Sequence, residues 1–246
     1  NFADSTKCII AYSIASYLSP NFAVFSIFYF YFFYTEYKLS KKLFIIILIN
    51  IILSLPAFIY LFSLDNIFLF KAASPGGLGE INSLNYSNKF LIIGSIILFY
   101  IIPFIFINSI KINYLNIKIL FVSFLLVFLF TLKFNYNVNL TGGGIFLQIS
   151  NFIFENNYFF YAISTISFIV ILNLFKINKI NILIIFLLLL SNPQYTIYHK
   201  YYDPLMLILF TLLFELKINQ KNLFSYRSVI VFYLYTGSFL IMNFIK

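Results

Sequence analysis

The stretch KFLIIGSIILFYIIPFIFINS, residues 89–109, decides the fold of this chain. After Lys89 it contains no charged side chain, and it is long enough for a bilayer-crossing helix, which requires about 20 residues. Apolar runs of this kind recur along the chain: 62% of its 246 residues are hydrophobic and only 9% are charged. Since about 25% of the residues in a soluble domain are charged, lipid rather than water is predicted to cover most of the surface.

The apolar runs predict an all-α fold, a polytopic transmembrane bundle of about nine spans, because only helices or closed barrels satisfy backbone polar groups in lipid. We expect residues 1–246 to form a single transmembrane domain, a fragment that lacks upstream spans, because the chain starts at Asn1 without a signal-peptide pattern. The predicted spans are 8–19, 21–35, 43–63, 89–109, 117–132, 157–175, 180–192, 204–216 and 228–244.

The turns between these spans predict the orientation, because short cytoplasmic loops accumulate Lys and Arg. Alternate turns carry most of the cations and are assigned to the cytoplasm, and the loops at 64–88, 133–156 and 193–203 are assigned to the outside. We therefore predict a multi-pass protein of a bacterial inner membrane. The cations of the inside turns are Lys38, Lys41, Lys42, Lys111, Lys118, Lys176, Lys179, Lys217, Lys221 and Arg227.

The net charge of +9 does not predict a nucleic-acid partner, because the cations are scattered between apolar runs instead of forming one solvated face. The predicted partners are the lipid bilayer and a lipid-linked sugar. No cofactor is predicted. A metal site is not predicted either, since the single histidine, His199, has no second His or Cys nearby.

The first two outside loops are about 25 residues long, longer than most connections in compact domains. The first contains Ser74-Pro75-Gly76-Gly77-Leu78-Gly79-Glu80, which is either a solvated connector or a segment that presents Glu80 to a substrate. The second contains Gly142-Gly143-Gly144 before an apolar stretch and Glu155. These glycines form either an anion-binding nest or a flexible turn before a short interfacial or re-entrant helix.

The third outside loop has the densest set of polar groups, NPQYTIYHKYYDP over residues 192–204. Its amide, phenol, imidazole, ammonium and carboxylate groups are the donors and acceptors that bind sugars and phosphates. His199 is either a structural residue or a proton shuttle and phosphate partner. Asp203 before Pro204 is either a helix N-cap or a functional carboxylate, and the two roles are compatible.

This layout resembles the C-terminal part of a membrane glycosyltransferase of the GT-C superfamily. The similar features are the Ser19-Pro20 hinge, the short lysine-bearing turns, and the late outside loop that ends in Tyr201-Tyr202-Asp203-Pro204. The resemblance implies sugar transfer from a polyprenyl-phosphate donor at the extracytoplasmic face. It implies that Lys200 and His199 contact the leaving phosphate.

The same resemblance implies that Gln194, Tyr202 and Asp203 contact sugar hydroxyls, with Glu80 and Glu155 as further substrate-facing acids. The catalytic residue is not identified, because no acidic outside loop precedes Ser19, and we expect it in upstream sequence. Three alternatives remain open: a polysaccharide polymerase or ligase, a transporter such as a lipid-linked oligosaccharide flippase, and a non-catalytic membrane subunit.

Overall fold

The structure is a computed structural model, and it describes residues 1–18, 20–63, 86–107, 116–136, 142–191, 196–199, 202–217 and 225–244. These ranges contain helices, turns and one isolated β-bridge, between Phe175 and Leu216, but no strand. The all-α prediction is thus confirmed for this part of the chain. The helices are α1 (Phe2–Leu18), α2 (Ser26–Tyr37), α3 (Lys41–Ser63), α4 (Tyr86–Ile107), α5 (Ile117–Thr131), α6 (Gly144–Phe154), α7 (Tyr158–Leu174), α8 (Lys179–Leu190), α9 (Asp203–Ile208) and α10 (Tyr226–Phe244).

Two helices in the described part of the chain are longer than the other apolar helices. Residues Lys41–Ile59 of α3 and the 22 residues of α4 are long and apolar enough to cross a bilayer. Helices α5 to α8 are apolar but shorter. In the predicted span 204–216, α9 continues directly into a π-helical turn at Leu209–Leu213, and the helical conformation ends before Phe214. The span count of about nine therefore stays a prediction.

The chain divides into two compact units, Asn1–Asn85 with Leu183–Thr196, and Tyr86–Ile182 with Ile197–Lys246. In the first unit, α1 and α2 pack against α3. Their shared core is a cluster of Ile9, Phe33, Leu43 and Ile46, all 3% exposed or less. The Tyr17 hydroxyl of α1 donates to the Leu53 carbonyl of α3 at 2.6 Å.

The second unit is built around α4, against which α5, α6, α7, α9 and α10 pack. Small side chains allow the closest approach. A Cβ at Gly94 would lie 3.0 Å from Cζ of Phe168 on α7, and the Ser167 hydroxyl donates to the Gly94 carbonyl. Phe90 fills the adjacent space between Phe130 and Phe168, with ring centroids 4.2 and 4.7 Å away. Small residues at helix contacts let backbones approach in this way.

Two ends of this unit can be named from their contacts. At the Asn88 end, which comprises residues 86–89, 133–136 and 155–160, the start of α4 meets the end of α5. The Asn88 amide group donates to Oδ1 of Asn135 at 3.0 Å and accepts from the Asn135 backbone N–H at 3.1 Å. Phe134 packs on Phe160 at 5.5 Å, so α7 also starts at this end.

The Lys176 end, residues 174–181 and 214–217, lies at the other end of α7. Here the Lys176 ammonium is 3.4 Å from the Glu215 carboxylate, and the Lys217 backbone N–H donates to the Leu174 carbonyl at 2.7 Å. The buried Asn181 side chain donates to the carbonyls of Lys176 and Glu215, both at 2.8 Å, and accepts from the Glu215 N–H at 2.9 Å. Two of the lysine-bearing turns are thus joined side by side.

Candidate functional site

The triple-glycine turn adopts a backbone conformation that other residues rarely tolerate. Gly142, Gly143 and Gly144 have φ values of 111°, 85° and 76°, in the left-handed region that glycine enters without steric cost. Space is also limited, because a Cβ on Gly142 would lie 2.7 Å from the Tyr136 hydroxyl and 2.9 Å from the Ile197 carbonyl oxygen. Conformation and packing therefore both require glycine at position 142.

The turn binds the backbone of the third loop, at Ile197. The Gly143 N–H donates to the Ile197 carbonyl oxygen at 2.8 Å, and the Ile197 N–H donates to the Tyr136 hydroxyl at 3.3 Å. Gln148 closes the turn from α6 by donating to the Gly142 carbonyl at 3.1 Å. We call this set of contacts among residues 136, 142, 143 and 197 the glycine junction.

The glycine junction lies beside the middle of α4, not at its end. A Cβ on Gly144 would be 3.5 Å from Cγ1 of Ile96 and 3.6 Å from Cγ2 of Ile92. Helix α6 starts beside the middle of α4 and ends at Phe154. The Phe154 ring stacks on Phe159 at 5.0 Å, near the Asn88 end. The second loop therefore contains the predicted short helix, and that helix begins level with the centre of the unit.

His199 lies between aromatic rings of α4. Its ring stacks on Tyr100 at 5.3 Å and meets Phe99 edge-on at 4.7 Å, and Phe99 in turn packs on Tyr235 of α10 at 4.8 Å. Both ring nitrogens are buried. Burial lowers the pKa of His199 to about 4, because an apolar environment disfavours the charged imidazolium. The ring is therefore neutral at pH 7, where it can donate and accept hydrogen bonds.

Tyr202 and Asp203 follow His199 at the start of α9. Tyr202 is fully buried, and its N–H donates to the His199 carbonyl at 2.9 Å. Tyr202 also occupies the N-cap position of α9, so Asp203 is the first helical residue and not the N-cap that its sequence context suggested. The helix therefore starts one residue later than the predicted N-cap. Pro204 lies in its first turn, where backbone N–H groups have no partner within the helix, so the missing N–H of proline costs no hydrogen bond.

The other predicted substrate residues are not gathered around His199 in the described structure. Gln194, Lys200 and Glu80 lie outside the described residues. Glu155 is exposed in the turn between α6 and α7, with φ 54°. Helix α6 separates it from the glycine junction by about 16 Å, the length of its eleven residues at the usual rise.

Sequence reasoning missed the partners of the glycine turn and of His199. The rings of Phe99 and Tyr100 contact His199, and that of Tyr136 contacts the glycine turn, but none of the three stands in a recognisable motif. The glycines and the third loop were singled out separately, yet nothing in the sequence paired them. In the described ranges no group of three or more His, Cys, Asp or Glu side chains could hold a metal ion.

Comparisons with known proteins give no relative for this chain: no protein-family model, no curated protein and no solved structure matches it.

Proposed function

We propose that this chain is a membrane-embedded helical bundle that acts on a polyprenyl-phosphate-linked sugar, as a glycosyltransferase of the GT-C type does. The bilayer part of the proposal is supported by the outward-facing apolar side chains of α3 and α5. Phe44 and Phe58 on α3 are 66% and 60% exposed, and Phe121 and Phe124 on α5 are both 65% exposed. Continuous apolar surfaces of this kind are rare on soluble monomers and typical of membrane contact.

The positions of the charges support an orientation for the second unit. The Lys176 end carries three lysines and the Asn88 end two, and the positive-inside rule assigns the end with more cations to the cytoplasm. The three are Lys176, Lys179 and Lys217, and the two are Lys89 and Lys133. Exposed Glu155 lies at the Asn88 end, which is then extracytoplasmic. In this arrangement α7, with 17 residues, crosses most of the hydrocarbon core, which is about 30 Å thick.

The glycine junction is the observation that carries the functional part of the proposal. Non-helical backbone at the depth of a bilayer is tolerated only where protein buries it or where it lines a cavity. Here the Gly143 to Ile197 hydrogen bond brings such backbone from two loops together beside the middle of α4. A segment that is costly to place at this depth is expected to serve a ligand, and the third loop carries the sugar- and phosphate-binding groups.

The proposed roles of the third loop follow from the environment of His199. A neutral His199 stabilises a leaving phosphate through a hydrogen bond and supplies no charge. The positive charge at the phosphate then comes from Lys200. Gln194, Tyr202 and Asp203 contact sugar hydroxyls in this proposal.

A lipid-linked oligosaccharide transporter is the second candidate, and the start of α6 favours it. Discontinuous helices that begin near the bilayer centre are typical of the substrate sites of secondary transporters. A transporter would move the lipid-linked sugar between leaflets without breaking the bond between sugar and phosphate.

The test uses the full-length protein in liposomes with fluorescent polyprenyl-phosphate glucose and mannose. A transferase releases polyprenyl phosphate when an acceptor sugar is added, and Asp203→Asn and His199→Ala lower this rate, whereas the exposed-site variant Asp4→Asn does not. Movement of the intact donor to the other leaflet, without release of polyprenyl phosphate, would show that the protein is a transporter and not a transferase. Equal release from wild type and both loop variants would remove the proposed roles of His199 and Asp203.

A further inference from the structure

The turn between α2 and α3 carries three exposed lysines, which we call the lysine turn. Lys38 follows the last residue of α2, and Lys41 and Lys42 are the first two residues of α3. None of the three forms an ion pair with a described residue. The acid beside them, Glu36, is exposed as well. The lysine turn therefore presents positive charge that no described ion pair offsets.

The start of α3 adds to this positive charge. The N–H groups in the first turn of a helix carry partial positive charge, which favours anions and disfavours cations. The first turn of α3 nevertheless contains two lysines and no acidic residue. An anion bound there would be attracted by the lysines and by the helix start together, so the lysine turn suits an anionic ligand.

The backbone of the lysine turn is fixed on both sides. Before it, the Tyr37 hydroxyl is 2.8 Å from the Ser5 hydroxyl of α1, and after it Leu43 is buried in the core cluster. Lys38 has a φ of 50°, which side chains other than glycine rarely adopt, and its carbonyl accepts from the Ser40 N–H at 3.0 Å. Strained backbone of this kind is concentrated where ligands bind, and here it holds the three lysines in one short turn.

An exposed apolar stripe on α3 begins directly beside Lys41. Residues three, four and seven positions further along a helix lie on the same face, and after Lys41 these positions are apolar and exposed. The part of α3 that is long and apolar enough to cross a bilayer also starts at Lys41, so the lysine turn lies where the stripe would meet the headgroup region. The α3 stripe consists of Phe44, Ile45, Leu48, Ile51, Ile52 and Leu55.

We propose that the lysine turn and the α3 stripe together bind one anionic phospholipid, with its phosphate at the lysines and an acyl chain along the stripe. The positive end and the apolar length of this surface complement the two parts of such a lipid. Free phosphate or an acidic protein segment would neutralise the lysines but leave the stripe uncovered. The sequence-based orientation places the lysine turn at the cytoplasmic leaflet, whose surface is negative. The inference goes beyond sugar transfer and rests only on the bilayer part of the proposed function.

The chain contains no tryptophan, so Phe44→Trp introduces a single reporter of the lipid beside the stripe. The full-length protein is placed in bilayers of phosphatidylcholine and phosphatidylglycerol, in which one of the two lipids carries bromine on its acyl chains. Bromine quenches tryptophan emission on contact. At equal mole fractions we expect phosphatidylglycerol to be preferred over phosphatidylcholine by about fivefold, the factor that a single lysine near an anionic surface supplies.

Charge variants test whether the lysine turn causes the preference. In the Phe44→Trp background, the triple variant K38Q, K41Q and K42Q is expected to remove it. The matched control removes the same charge from three exposed lysines elsewhere in the chain and should leave the preference unchanged. The control variant is K118Q, K133Q and K179Q.

A second reporter tests whether the site is local. Leu55→Trp lies at the far end of the α3 stripe, about 21 Å from Lys41 at the usual helical rise, and no preference is expected there. Equal preference at both positions would mean that the net charge of the protein attracts the lipid and would overturn the site.

Three further outcomes at position 44 decide the proposal. Equal quenching by the two lipids, or a preference that survives the triple variant, would overturn it. If the triple variant does not fold, salt replaces it: the preference should disappear at about 1 M salt, which screens such charges, and persistence would overturn the proposal. Quenching by neither lipid would show that protein covers the stripe, and would remove both this site and the bilayer contact assigned to α3.

The same experiments separate this inference from the proposed sugar transfer. A lysine-dependent preference without transfer would retain the lipid site and remove the transferase. Transfer by a protein that shows no preference would retain the transferase and remove the lipid site.

Discussion

The backbone N–H of Gly143 donates a 2.8 Å hydrogen bond to the carbonyl oxygen of Ile197. This bond joins two segments that are far apart in the chain and fixes both against α4. Tyr136 completes the contact, because its hydroxyl accepts from the Ile197 N–H and its ring lies against Gly143. The geometry of the third loop therefore depends on the glycine turn of the second.

Gly142→Ala should weaken this contact. The new Cβ would meet the Tyr136 hydroxyl at 2.7 Å and the Ile197 carbonyl at 2.9 Å, at a φ of 111°. We expect the free energy of unfolding to fall by about 1–3 kcal/mol, the usual cost of a strained backbone conformation. Thermal unfolding in detergent measures the change.

Gly237→Ala is the matched control, because a Cβ at this position in α10 meets nothing within 4 Å. Alanine in a helix interior is expected to be neutral or to stabilise by up to about 1 kcal/mol. Equal losses in the two variants would contradict the role given to Gly142.

Asn181→Ala should loosen the Lys176 end. The Asn181 amide group makes three hydrogen bonds to the backbone of Lys176 and Glu215. Its loss leaves two carbonyls and one N–H without these bonds, and we expect a cost of about 1–3 kcal/mol in the free energy of unfolding. The control is Asn173→Ala, since the Asn173 amide group donates to Ile169 within its own helix. A smaller loss for Asn181 than for Asn173 would refute the assignment.

His199→Phe should change how stability depends on pH. The pKa of His199 is about 4 in the folded chain, against an ordinary value of 6.5. Between these values the unfolded chain binds more protons, so the neutral ring contributes stability that is complete above pH 6.5 and is lost as the pH falls towards 4. His199 is the one histidine of the sequence. The wild type should therefore lose more stability than His199→Phe when melting is compared at pH 7 and pH 5. Parallel losses would show that the ring titrates normally.

Cysteine labelling should place the two ends of α7 on opposite sides of the membrane. Cys8→Ser removes the single native cysteine, after which Glu155→Cys and Lys176→Cys each introduce one exposed thiol. In intact cells an impermeant maleimide should label position 155 directly and position 176 only after the membrane is opened. Labelling of both from the same side would overturn the proposed orientation.

The sequence by itself determined the helical class, because hydrophobicity and helix length are local properties. Apolar runs such as 89–109 required long buried or lipid-covered helices, and α4 occupies most of that run. The sequence also identified the three glycines, since consecutive glycines mark an unusual backbone wherever they fall. It placed a short helix after them for the same local reason, and α6 is that helix.

Only the tertiary structure decided which of these elements meet. The Ile197 N–H and the Tyr136 hydroxyl are 61 residues apart in the chain, and no local pattern records such a contact. The environment of His199 is likewise tertiary, because the rings that lower its pKa come from α4. Burial of Lys89 could not be predicted either: a lysine at the border of an apolar run looks the same whether lipid or protein surrounds it, and packing alone distinguishes the two.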